Sequence, residues 1–130
     1  MTISRGFGLG PIGQIAVNVK DLDRAVGFYR DVLGLRPLFQ VPKLAFFDCA
    51  GIRLMLSLPE TPEFDHPGSV IYYRVDDIKT AHAALRDRGA RFEGEPHVVA
   101  RLPDHDLWMA FCRDSEGNLL ALMSEVRPAA

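Results

Sequence analysis

Two stretches of this chain, Gln14 to Pro37 and Val70 to Phe92, carry the same succession of residue types, and this internal repeat limits the available folds more than any other feature. In the first, Ile15, Val17 and Val19 alternate with Gln14, Ala16 and Asn18; in the second, Ile71, Tyr73 and Val75 alternate with Val70, Tyr72 and Arg74. A period of two belongs to strands whose faces differ. After Asp21, the residues Leu22, Ala25, Val26, Tyr29 and Leu33 follow helical spacing, and Ile78, Ala81, His82 and Leu85 do the same after Asp77. The two aspartates stand where a carboxylate caps free N–H groups, and Gly34 and Gly89 stand where a left-handed residue stops a helix. Each stretch predicts a strand followed by one amphipathic helix.

The likeness continues past the helices. Short strands are expected over Leu38–Val41, Leu44–Cys49 and Arg53–Leu58, then over Pro96–Arg101, Leu107–Cys112 and Leu119–Ser124. Their last members match, with Gly51 preceding Leu54 and Leu56 as Gly117 precedes Leu120 and Leu122. The expected fold class is therefore α+β, with two β-α-β-β-β modules over about residues 12–58 and 68–125. A linker rich in Pro, Glu and Asp joins them over 59–67.

At 130 residues and 48% apolar content, the chain fits one domain with a sizeable core. A net charge of -2, with no basic stripe, argues against a nucleic-acid partner. No apolar run is long enough to span a bilayer, and the first dozen residues, which include Arg5, lack the apolar core of a signal peptide. A cytoplasmic location is the expectation. Cys49 and Cys112 fit neither a CxxC nor a zinc spacing and are expected to be reduced thiols.

The run Ile15-Ala-Val-Asn-Val-Lys-Asp-Leu-Asp-Arg-Ala-Val-Gly-Phe-Tyr-Arg-Asp-Val-Leu-Gly-Leu closely resembles the opening module of vicinal oxygen chelate proteins, the glyoxalase, bleomycin-resistance and extradiol dioxygenase type. Asp114-Ser-Glu-Gly-Asn-Leu-Leu resembles their closing hairpin, and the likeness runs from Ile12 through Glu125. The resemblance implies paired modules whose sheets curl into an open cleft, helices outside, usually completed in a homodimer. The same scaffold serves metal-dependent lyases, epimerases and dioxygenases as well as metal-free, antibiotic-sequestering proteins. In the metal-using members the ligands come from the starts of both first strands and the middles of both last strands. Here those places are Gln14, Val70, Met55 and Ala121, of which Gln14 alone offers a hard oxygen donor.

Strand parity sends the apolar rows toward the helices and the opposite rows toward the cleft. The expected ligand-binding set is Gln14, Asn18, Arg53, Met55, Tyr72, Arg74 and Ala121, joined by His97 and Trp108. Arg53 and Arg74 can meet a carboxylate or polarised carbonyl; each also reads as a solvated rim residue. His97 is a lone strand histidine that structure as well as chemistry can explain, and parity leaves the direction of Trp108 open. Phe39, Phe46, Phe47 and Phe111 read mainly as core, and His82 as a half-buried packing residue. No neighbouring base marks Cys112 as an activated thiolate.

The sequence thus points to a metal-independent binder of a small, partly aromatic or carboxylate-bearing molecule, with no cofactor expected and a homodimer implied by the resemblance. The contrary expectation is a lyase, isomerase or dioxygenase that recruits a divalent cation through Gln14 and one or more of His66, His97 and His105, with Asp65, Asp104 and Asp106 nearby. A scaffold without any ligand is the third.

Overall fold

In a computed structural model, described over residues 7–8, 11–60, 62, 66 and 68–127, the repeat folds twice. The first half runs β1 (Gln14–Asn18), α1 (Leu22–Gly27), a π-helical turn (Phe28–Val32), β2 (Arg36–Val41), β3 (Leu44–Cys49) and β4 (Ile52–Ser57). The second runs β5 (Ile71–Arg74), α2 (Ile78–Asp87), β6 (Arg91–Phe92), β7 (His97–Arg101), β8 (Asp106–Arg113) and β9 (Leu119–Val126). Phe64, Asp65 and Pro67 of the expected linker, like Arg5 and the rest of residues 1–6, lie outside the described residues.

Each half builds its own mixed sheet, ordered β1-β4-β3-β2 and β5-β9-β8-β6, with β7 also on β8. β1 pairs parallel with β4 and β5 with β9, while the hairpins β3–β4 and β8–β9 are antiparallel. A parallel pair needs a long crossover, and the helix with two or more further strands supplies it. The capping aspartates act as their positions predict. Asp21 accepts from the Arg24 N–H at 3.0 Å, and Asp77 accepts from Lys79 and Thr80 N–H groups at 3.1 and 3.2 Å. Gly34 and Gly89 both take positive φ, 77° and 99°.

The first helix departs from the expected single α-helix. Beyond Gly27 its bonds span five residues instead of four, Leu33 N–H donating to the Phe28 carbonyl at 3.0 Å. The wider turn lets Tyr29 enter the first core while Val32 and Leu33 also pack against the second. The second half carries a short strand, β6, that alternation over two residues could not reveal.

Core residues follow the parity rule. Val19, Ala25, Tyr29, Ala45, Phe47, Leu54 and Leu56 are buried between α1 and the first sheet; Ile78, Leu85, Ala110 and Leu122 are buried between α2 and the second. The β8–β9 turn then reaches across to the first half. Glu116 accepts from the backbone N–H groups of Lys20 and Asp21 at 2.8 and 2.9 Å and takes both Nε and Nη2 of Arg24. Tyr29 donates to Asp114 at 2.8 Å, and Asn118 donates to the Asn18 carbonyl at 2.9 Å. Among the described residues no helix is long and apolar enough to cross a membrane.

Candidate functional site

The face of each sheet turned away from its helix is open, and most of the expected ligand-binding residues stand there. On the first sheet the strand register lines up Phe39, Phe46, Met55 and Ala16 in a row from β2 to β1, and pairs Gln14 with Arg53 beside it. Phe39 and Phe46 stack, with ring centroids 4.4 Å apart and planes 24° apart. Phe46 is buried even on this open face, because Phe39 covers it and the Arg53 guanidinium sits 5.1 Å from its ring centre. Phe39 itself is 50% exposed. Gln14 ties the row together: its Oε1 accepts from Arg53 Nε at 2.8 Å, and its Nε2 faces the Met55 sulfur at 3.7 Å.

The second sheet offers a different surface. Register places Ala121 between Tyr72 and Phe111, whose rings meet edge to face at 6.0 Å, so the alanine is fully buried beneath them. Met109 pairs with Met123 and with His97, continuing an apolar strip. His97 is exposed and its Nδ1 lies 3.1 Å from the Glu95 carbonyl. Arg74 is also exposed, but Glu125 lies 3.5 Å away and offsets its charge.

Between the two sheets, β1 and β5 flank a cavity of about 830 Å³, lined by Ile15, Val17, Asn18, Ile71, Tyr72 and Tyr73 among others. Asn18 and Tyr72 are the expected site residues that border it. Gln14, Arg53 and Met55 form one group on the first sheet, and Ala121, Arg74 and His97 lie on the second. Sequence parity gathered them in one hollow; the structure spreads them over two faces and the seam between. Trp108 belongs to none of these. It pairs with Ser124, packs against the second core on the α2 side, and has Lys79 Nζ 5.1 Å from its ring centre. Its parity matches Ala110 and Cys112, both buried, and this match is the signal that would have placed it.

Both Phe39 and Phe46 read mainly as core from the sequence; Phe46 is buried as expected, whereas Phe39, on the edge strand β2, is half-exposed and stacked over it. His82 is buried outright rather than half-buried, lying against Phe92 at 4.3 Å between ring centres. Burial pushes the Cys112 thiol up to about 11, so it stays protonated at neutral pH.

A divalent cation does not suit this donor set. The oxygen of Gln14 is committed to a guanidinium, Met55 offers a soft sulfur, and Val70 and Ala121 offer nothing. A cation beside Gln14 would also face Arg53, with repulsion on the order of 4 kcal/mol per unit charge at about 4 Å near a protein surface. His66 lies in the segment between β4 and β5, His97 on β7 and His105 in the loop before β8, where its Nδ1 is 2.8 Å from Asp104. Among the described residues no three His, Cys, Asp or Glu side chains come together as a metal site. Asp65 of the alternative ligand set lies outside the described residues.

Two modules with this strand order define the glyoxalase type of fold, and the comparisons agree. The model of the Glyoxalase/Bleomycin resistance protein/Dioxygenase superfamily matches residues 11–122, and the chain belongs to that superfamily. A structure of a superfamily member from Sphaerobacter thermophilus DSM 20745 superposes with a TM-score of 0.74 at 24% identity, covering 90% of this chain and 98% of that one. Lactoylglutathione lyase from Agrobacterium tumefaciens gives 0.69 at 24% identity, covering 89% and 94%. A member from Nocardioides gives 0.69 at 22% identity, covering 99% and 91%. At these identities the likeness speaks for the fold alone.

Proposed function

We propose that this protein is a metal-independent binder of a small organic molecule, partly aromatic or carboxylate-bearing, and that it works as a homodimer. The observation that carries the reading is the Gln14–Arg53 hydrogen bond of 2.8 Å, which commits the hard donor at the four ligand places to a cation already supplied by the protein. Loss of carboxylates from those places also removes the bases that metal-dependent members of the fold need for proton transfer or water activation. What remains is shape and area. The first face offers a ring stack, a guanidinium and an amide; the second offers Tyr72, Phe111 and methionines. A few polar groups set in apolar surface are the usual make-up of a small-molecule site.

Dimerisation is supported by exposed apolar side chains away from the ring stack. Val99 on β7, Leu102 just after it and Val126 at the end of β9 are each more than 40% exposed, and a second copy of the chain would cover them. The test is metal analysis of the purified protein, followed by a thermal-shift screen with and without chelator. Compounds that raise Tm equally in chelator support the reading. Stoichiometric Zn, Ni, Mn or Fe that is lost in Gln14→Ala would overturn it in favour of a metal-dependent lyase, isomerase or dioxygenase. Sedimentation of a monomer at all working concentrations would remove the dimer.

A further inference from the structure

We infer that Arg53 occupies the charge position that a divalent cation would otherwise fill beside Gln14, making the first sheet's open face a receptor for a planar aromatic anion. The inference rests on the metal-independent reading and gives its ligand a chemical class and an orientation. Arg53 uses Nε on Gln14, and its register partner Asp48 is engaged with Arg36 at 3.1 Å instead. Among the described residues no carboxylate lies within ion-pairing distance of the Arg53 guanidinium, so its two terminal nitrogens keep their donors for a ligand. A guanidinium edge with two free N–H groups matches an oxyanion in bidentate fashion.

Two contacts hold that edge in place and a third backs them. Gln14 fixes Nε, the Phe46 face lies under the guanidinium carbon, and Phe39 stacks on Phe46. A side chain held in this way loses little further rotamer freedom on binding. The half-exposed ring of Phe39, stacked on the same Phe46 that carries the guanidinium, then gives a flat surface on which the ring of the bound anion can lie. The second sheet has no equivalent. Leu119 stands where the repeat would place Arg53, and Arg74 is neutralised by Glu125. The anionic end of the ligand is therefore bound by the first module.

Isothermal titration with 2-naphthoate and the neutral 2-naphthylmethanol tests this. The wild-type chain is expected to bind the carboxylate roughly tenfold or more tighter than the alcohol, a margin that one charged hydrogen-bond pair supplies. Arg53→Met should abolish that preference while leaving the alcohol's affinity in place. Phe39→Ala should weaken both probes. Arg91→Met, which removes an exposed arginine on β6, serves as the charge-matched control, and circular dichroism checks that each variant is folded. The inference is overturned if 2-naphthoate does not bind, if it binds no tighter than the alcohol, or if its advantage survives Arg53→Met. It is also overturned if the wild-type protein retains Ni²⁺ or Zn²⁺ stoichiometrically after gel filtration. Binding of the alcohol alone would sink the anion receptor but leave the wider reading standing; failure of every compound to stabilise the fold would sink that reading itself.

Discussion

The two modules agree wherever the fold needs them to and differ wherever a ligand would touch them. Both begin with a strand, an aspartate cap and an amphipathic helix closed by a left-handed glycine, and both bury the same leucine pair, Leu54 and Leu56 or Leu120 and Leu122. On the open faces the correspondence breaks: Gln14 against Val70, Arg53 against Leu119, Met55 against Ala121. Packing constrains a core position in each copy of a repeat, whereas one charged group on one face suffices to orient a small ligand. A repeated fold with an unrepeated site is the result.

The modules also differ in how they hold each other. One residue before the turn glycine, the first module has Ala50 and the second has Glu116. Glu116 has a side chain only 1% exposed and binds two backbone N–H groups and Arg24, so the second hairpin clasps the first module with no return contact of this kind from Ala50. Glu116→Ala leaves those donors unpaired and should cost about 3 kcal/mol, read as a drop in urea midpoint. The Arg24 side chain holds the Glu116 carboxyl down at about 2, against 4.5 unperturbed. A carboxyl depressed in the folded state stabilises above its unfolded pKa, and that gain fades as pH falls from about 4.5 to about 2. The stability gap between wild type and Glu116→Gln should close over that window; a gap that stays constant would mean the clasp does not depend on charge.

Buried tyrosines sharpen the comparison at a smaller scale. Tyr29→Phe removes the 2.8 Å bond to buried Asp114, which keeps its bonds from Asn118 and from the Glu116 and Asn118 N–H groups. One charged hydrogen bond lost from such a network should cost about 2 kcal/mol. The caps come next. Asp77→Ala frees the N–H groups of Lys79 and Thr80 and should cost about 1 kcal/mol, with Asp21→Ala close behind because its carboxylate takes the Arg24 N–H alone. Equal and negligible costs for both would show that packing rather than capping starts the helices.

Most of this fold was legible because its signals are local. Alternation in β1 and β5, helical spacing after Asp21 and Asp77, and the glycines at 34 and 89 each report on a few neighbouring residues. The π-helical turn is not legible, since it answers to Tyr29 entering the first core while Leu33 packs against both cores at once. The site was legible only strand by strand. Parity put Gln14, Arg53 and Met55 on one face correctly, yet it cannot say whether two sheets close over a common space, and here β1 and β5 instead flank a seam. The direction of Trp108 is not legible for a related reason: it follows from pairing with Ser124, a contact sixteen residues away in the chain. The clasp of Glu116 on Lys20 and Asp21 spans about ninety-five residues and has no local signature at all.

The smallest predicted effect carries the opposite sign. Tyr73, on β5, has a buried hydroxyl with no hydrogen-bond partner among the described residues, and burial drives its pKa well above the ordinary tyrosine value, so the group stays a protonated donor. Tyr29, which borders the same cavity from the π-helical turn, has the same group satisfied by Asp114. An unmet buried hydroxyl opposes folding, so Tyr73→Phe should leave stability unchanged or raise it by up to about 1 kcal/mol, where Tyr29→Phe lowers it. The ring of Tyr73 packs on the second core and the substitution preserves it. Because Tyr73 also borders the seam between β1 and β5, a loss of stability in Tyr73→Phe would mean that water in that cavity meets the hydroxyl, and the two tyrosines would then be equivalent rather than opposed.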